Sequence, residues 1–152
     1  MKVEAIVLAG AANRGKLSQV SDAAYEALIP VAGRPMVHYV VDALRQSAPV
    51  ERIIVVGPKE ALRALEEQDG VELVDAGESM VENLLRGVEH LRAQRFALVV
   101  TSDIPMLRPE AVEDFVRRCT ERPADIYYSI VTRESNEAKY PGVARTYVRL
   151  QD

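Results

Sequence analysis

The residues best suited to chemistry stand early, in Leu8-Ala9-Gly10-Ala11-Ala12-Asn13-Arg14-Gly15-Lys16. Small side chains at Gly10, Ala11 and Ala12 let backbone N–H groups come close to a ligand. Arg14 and Lys16 supply positive charge, and a triphosphate needs both features. The same residues, read from Gly10 to Lys16, also fit the phosphate-loop template G-x-x-x-x-G-K-[ST]. Position 17, however, is Leu17, where that template places a hydroxyl for magnesium. A phosphate loop also runs directly into a helix, and residues 17–33 show no helical stripe. A third account, a tight turn with solvated basic side chains, needs no ligand at all.

Two further positions carry the argument. Ser79 stands three residues before Glu82, which makes a capping box at the start of a helix. Such a serine is structurally sufficient without a ligand, although a capped N-terminus can also serve one. Asp103, in Ser102-Asp103-Ile104-Pro105, lies too far ahead of the next helix to cap it, since Arg108 directly precedes Pro109, a typical first helical residue. His38 and His90 sit far apart in helix-like segments and read as surface residues. Cys119 falls on an apolar stripe and reads as packing.

These positions need elements to hold them. Short runs rich in Val and Ile read as buried strands over 5–9, 53–56, 71–74, 96–101 and 126–131. Between them, Val37, Val40, Val41 and Leu44 recur at helical spacing. So do Val81, Leu84, Leu85 and Val88, and again Val112, Phe115, Val116 and Cys119; each set predicts one buried helix face. A shorter helix is expected over 59–68, ending at Gly70. Strands alternating with helices predict a mostly parallel sheet with helices on both faces. Ligands of such sheets bind at the carboxyl ends of the strands. That is where the loops carrying Gly10, Gly77 and Asp103 fall.

Composition narrows the partners. The chain has 152 residues, 48% hydrophobic and 28% charged, which suits one domain with one core and excludes disorder. No apolar run approaches the roughly 18 residues of a spanning helix. A single cysteine excludes a disulfide framework and fits a reducing cytoplasm. The net charge of −4 comes from interleaved acids and bases, without the clustered basic face that nucleic acid requires.

Three stretches in order, Ile6-Val7-Leu8-Ala9-Gly10, the run from Tyr25 to Leu44 containing Leu28-Ile29-Pro30-Val31-Ala32-Gly33-Arg34-Pro35-Met36, and Val99-Val100-Thr101-Ser102-Asp103-Ile104-Pro105, make the chain resemble the MobA-like nucleotidyltransferases. The resemblance covers nearly the whole chain. It implies a three-layer α/β/α domain of the GT-A-like, Rossmann-type nucleotide-diphospho-sugar transferase fold. It further implies that Leu8, Ala9, Gly10 and Ala11 line a nucleotide, that Arg14 lies near its phosphates, and that Gly77 and Ser79 stand where family members contact base or ribose. Gly33, Pro35 and Met36 would shape the turn into the next helix, and Asp103 would hold Mg2+ bridging the phosphates. A strand-end carboxylate is a hard oxygen ligand suited to that ion.

The sequence departs from the family at Ala11, where a second glycine is usual, and at Arg14, which comes one residue early. The lysine expected ahead of Ala27-Leu28 is Glu26. A carboxylate repels a triphosphate, so Lys16 is the expected substitute. The family also continues past residue 152 into an acceptor and second metal portion, which leads us to expect here a single domain, 1–152, lacking that part. The leading expectation is a Mg2+-dependent nucleotidyltransferase that joins a nucleoside triphosphate to a phosphorylated small-molecule acceptor. A nucleotide-binding regulatory module and a phosphate-loop NTPase are the alternatives.

Overall fold

Residues 1–92 and 96–149 are described in the computed structural model. Strand β1 (Val3–Leu8) leads through a long loop to a two-residue hairpin, β2 (Pro30–Val31) and β3 (Arg34–Pro35). Helix α1 (Met36–Arg45), strand β4 (Val50–Gly57), the single turn α2 (Lys59–Leu62) and strand β5 (Val71–Asp75) follow. The chain continues with α3 (Met80–Glu89), β6 (Ala97–Thr101), α4 (Pro109–Glu121) and an exposed α5 (Arg133–Lys139). The main sheet runs β5-β4-β1-β6, and every neighbouring pair is parallel.

Both sheet faces are covered, which is why the strands are continuous Val and Ile runs rather than alternating ones. One face buries Ala5, Val7, Ile53, Val55, Leu73 and Val100 beneath Val37, Val40, Val41 and Leu44 of α1 and Val112 and Val116 of α4. Leu62 and Leu65 join that core. The other face presents Ile6, Ile54 and Val56 to Leu84 of α3 and to Leu91. The three-layer parallel α/β architecture expected from the sequence is therefore the one observed.

Three details differ from the sequence expectation. The helix expected over 59–68 is one α turn followed by a 3-10 turn, Arg63–Leu65, and only Leu62 and Leu65 reach the core. Residues 126–131 pair with no strand among the described residues. The Tyr127 hydroxyl donates to Arg122 O (2.8 Å) and accepts from Ala124 N (3.0 Å), folding the segment back on itself. The Tyr127 ring meanwhile packs edge-on against Phe96, so Ile126, Tyr128 and Ile130 stay exposed. Residues 143–149 likewise form no ladder among the described residues, and residues 150–152 lie outside them.

The third difference concerns α3. Of its expected core stripe only Leu84 packs inward; Val81, Leu85 and Val88 are 68%, 57% and 46% exposed. The buried positions are Asn83 and Gly87. Gly87 lies so close to β1 that a Cβ there would stand 2.6 Å from Ile6 Cγ2. Apolar spacing marks a helix as amphipathic, but the residue without a side chain decides which flank can approach the sheet. Gly87→Ala is expected to cost about 1–3 kcal/mol by overpacking, measured by denaturant unfolding. Val88→Ala, on the exposed flank, is expected to cost about 0.5 kcal/mol or less.

Candidate functional site

The strand order defines a crevice. From β1 the chain winds to β4 and β5 on one side, then places β6 on the other, so the order reverses between β1 and β6. Such switch points open a cleft at the carboxyl edge of a parallel sheet. Three hydrogen bonds extend the ladders past the strand ends there: Ser102 N to Leu8 O (3.2 Å), Ala9 N to Val56 O (2.8 Å) and Ala76 N to Gly57 O (3.0 Å). The loops after β1, β5 and β6 thus leave the sheet side by side. The structure accordingly brings Leu8, Ala9, Gly10, Gly77 and the turn holding Asp103 to one edge.

The loop after β1 is pinned at both sides. Ala9 is fully buried and Gly10 is half-buried. A Cβ on Gly10 would meet Asn83 Nδ2 at 2.6 Å and Ala76 Cβ at 2.8 Å, so glycine is the residue that fits. Farther out, Glu26 N donates to Ala11 O (3.0 Å) and Asn13 N to Ala24 O (3.0 Å). Asn13 Nδ2 donates to Ser21 O and Ala23 O at 2.9 Å each, while its Oδ1 is buried without a partner among the described residues. Arg14 and Lys16 are exposed, and neither forms an ion pair among the described residues.

This geometry overturns the phosphate-loop alternative. Lys16 opens a single 3-10 turn, Lys16–Gln19, with no buried residue, instead of the helix whose N-terminus a phosphate loop requires. The segment that follows is tied back by a bridge between Ala12 and Tyr25. That bridge also brings Glu26, half-buried, to the loop: its Oε1 lies 3.8 Å from where a Gly15 Cβ would be. The position that carries a lysine in the resembling family therefore faces the Gly10–Lys16 loop, with the opposite charge.

Helix α3 enters the site through its first turn. Ser79 Oγ accepts from Glu82 N at 3.1 Å, and the Glu82 carboxylate accepts from Glu78 N at 2.8 Å and pairs with Arg86. The capping box is real, with its return arm on Glu78 instead of Ser79. Gly77 N donates to Asn83 Oδ1 at 2.6 Å. On the other side of the sheet edge, Ala32 (φ 49°) and Gly33 (φ 80°) turn the β2–β3 hairpin, and Pro35 and Met36 start α1. Tyr39 OH braces that turn by donating to Val31 O at 2.7 Å.

Asp103 is exposed in the turn after β6, and α4 begins after Arg108 without a side-chain cap, so Asp103 has no capping role. His90 is exposed, as expected. His38 instead is half-buried on α1, where burial and then Arg34 hold its imidazole below the ordinary 6.5. Cys119 is buried, and burial raises its thiol pKa, in keeping with a packing role. Asn13 and Asn83 were not singled out by sequence reasoning. The one signal was a polar residue, Asn83, in the middle of an apolar helical stripe.

A parallel sheet with its loops gathered at a strand-order reversal defines a ligand-binding α/β domain. The comparisons with known proteins narrow the class. Residues 5–149 match the MobA-like NTP transferase domain, and the chain belongs to that family. The bifunctional protein GlmU of Alcanivorax borkumensis is 32% identical over 124 residues, 76% of this chain and 25% of that protein. A hypothetical transferase structure from Thermus thermophilus is 33% identical with a TM-score of 0.79, covering 99% of this chain and 60% of that one. A nucleotidyl transferase from Methanothermobacter is 25% identical with a TM-score of 0.60, over 76% of this chain and 57% of the other. This chain thus spans about a quarter of the length of the curated relatives it matches.

The cap at the site has a pH signature. The Glu78 N–H and then Arg86 hold the Glu82 carboxyl below its ordinary 4.5. A depressed folded-state pKa means that the ionised group favours the folded state above the unfolded value, and that this contribution fades as pH falls through the folded one. Glu82→Gln is therefore expected to lower stability at neutral pH. Its difference from the wild type should narrow progressively as unfolding is measured at pH values falling below the ordinary glutamate pKa.

Proposed function

We propose that this domain binds a nucleoside triphosphate and transfers its nucleoside monophosphate part to a phosphorylated small-molecule acceptor. An oxygen of the acceptor phosphate attacks the α-phosphorus, the bond from that phosphorus to the β-phosphate oxygen breaks, and pyrophosphate leaves. The observation that carries this reading is the crevice between β1 and β6. It sets the Gly10 loop beside Asp103 in a chain that belongs to the MobA-like NTP transferase domains.

Each part has a physical task. Leu8, Ala9, Gly10 and Ala11 offer backbone at the strand end, with no Cβ at Gly10 to obstruct a ligand. Gly77 and Ser79 stand opposite, on the side proposed for base or ribose. Arg14 and Lys16, without carboxylate partners among the described residues, are the candidates to neutralise charge that grows on the phosphoryl oxygens and the leaving group.

Asp103 is the candidate Mg2+ ligand. Among the described residues no three His, Cys, Asp or Glu side chains gather to hold a metal. A single carboxylate suits magnesium, which is commonly held by one or two carboxylates together with substrate phosphates and water. When bound, the ion would supply charge neutralisation between the phosphates. Sugar phosphates and alcohol phosphates are the acceptor classes we propose, drawn with the nucleotide from a cytoplasmic pool. Residues 1–152 are read as one nucleotidyltransferase domain carrying the nucleotide side of the reaction.

A second reading, a regulatory module that binds nucleotide without turnover, is favoured by one observation: Glu26 places a negative charge against the loop where a triphosphate would lie. Unfolding scans with ATP, GTP, CTP, UTP and dTTP, with and without Mg2+, test the shared premise. One nucleotide at a hundredfold over its Kd is expected to add about 2.7 kcal/mol; no shift with any of them overturns both readings. Asp103→Asn then separates the two, because a transferase loses turnover whereas a module loses only Mg2+-linked affinity. Glu26→Lys is expected to tighten triphosphate binding by about tenfold or more, since it exchanges repulsion for attraction at close range. An unchanged Kd by titration calorimetry would remove Glu26 from the phosphate side.

A further inference from the structure

Asn83 is the polar residue that α3 turns toward the sheet, and it is 6% exposed. Its Oδ1 accepts from Gly77 N at 2.6 Å. Its Nδ2 occupies the space beside Gly10, 2.6 Å from where a Cβ would stand. One carboxamide therefore touches both the loop after β1 and the loop after β5. Among the described residues Nδ2 makes no hydrogen bond. A buried polar group is costly unless it is bonded, and Oδ1 meets that need through Gly77 N.

The chemistry of this contact is neutral. Gly10 and Gly77 carry no side chain; Arg14 and Lys16 stand four and six residues beyond Gly10, on the outer part of its loop, and Glu26 and Asp103 lie on other segments. A change at Asn83 alters the separation of two backbone loops without altering the charge that a phosphate meets. Its effect on a nucleotide should be the same whether that nucleotide carries one phosphate or three.

We propose that Asn83 is a positioning residue for the nucleoside: its carboxamide bridges the Gly77 loop and the Gly10 loop and sets their separation on the side proposed for base and ribose. This rests on the nucleotide-binding reading above. Ser79 and Glu82 fix where α3 begins, and Asn83, one turn on, transfers that position to the two loops. Gly10 is then required for a second reason besides ligand access, because any side chain there displaces the clamp.

The test measures binding of the preferred nucleoside triphosphate, its monophosphate and inorganic tripolyphosphate to the wild type, Asn83→Ala and Asn83→Asp. Gly77 amide exchange is followed in the ligand-free proteins. Asn83→Ala is expected to weaken both nucleotides by a similar factor, about tenfold or more, and to leave tripolyphosphate within about twofold. Gly77 exchange should quicken by about the same tenfold in Asn83→Ala and stay slow in Asn83→Asp, which keeps an acceptor in place. If Asn83→Ala unfolds, Asn83→Ser, whose hydroxyl is too short to reach both loops, should show the same selective loss.

An equal loss for tripolyphosphate would mean general disruption and would overturn the assignment. So would nucleotide affinities within about twofold of the wild type. A wild type that binds no nucleotide sinks the functional reading itself, whereas a binding wild type indifferent to Asn83 sinks the clamp alone.

Discussion

The close approach of α3 to strand β1 is the constraint on which the rest of the site depends. Two glycines permit it: Gly87 on the helix lies against Ile6, and Gly10 at the strand end lies against Asn83. Neither place has room for a Cβ. Because the helix is drawn in along its Asn83–Gly87 flank, a polar side chain faces the sheet and must find a partner there. The Gly77 amide supplies it at 2.6 Å. The loop after β5 is thereby fastened to the loop after β1, and the capped first turn of α3 is held at the carboxyl edge of the sheet.

The same approach explains the uneven surface of the helix. Val81, Leu85 and Val88 turn outward, and Val99 of the edge strand β6 is 45% exposed. The opposite face of the sheet is covered by α1 and α4 with an apolar core drawn from every strand of the sheet. The crevice is consequently backed by a rigid layer on one side and by a single closely seated helix on the other. Loops carried on such a frame vary in chemistry without disturbing the sheet.

Electrostatics divides the crevice in a second direction. The cations Arg14 and Lys16 project from a loop fastened to residues 21–26 by backbone hydrogen bonds and by the Asn13 side chain, and that fastening also delivers Glu26. Asp103 stands on the neighbouring strand end, across the point where the strand order reverses. Charges of both signs thus surround the place proposed for the phosphates. Their balance is set by the backbone path of one long loop, since these side chains make few contacts of their own.

The sequence by itself determined the parallel α/β architecture, because continuous Val and Ile runs and apolar recurrences of three and four residues are local properties of the chain. It also identified the Gly10 loop, the Ser79 cap and the Asp103 turn, since each depends on residue types within a few positions. It did not reveal that 126–131 stays out of the sheet, because Tyr127 satisfies nearby backbone groups and packs on Phe96, a choice between local and distant partners. Nor did it reveal which flank of α3 is buried. Periodicity describes a helix alone, whereas the answer lay in a missing Cβ at Gly87 meeting Ile6 across some eighty residues of chain, roughly the separation at which loop closure, not local preference, governs contact. The clamp of Asn83 between Gly10 and Gly77 is likewise a property of three segments brought together, and only the tertiary structure could decide it.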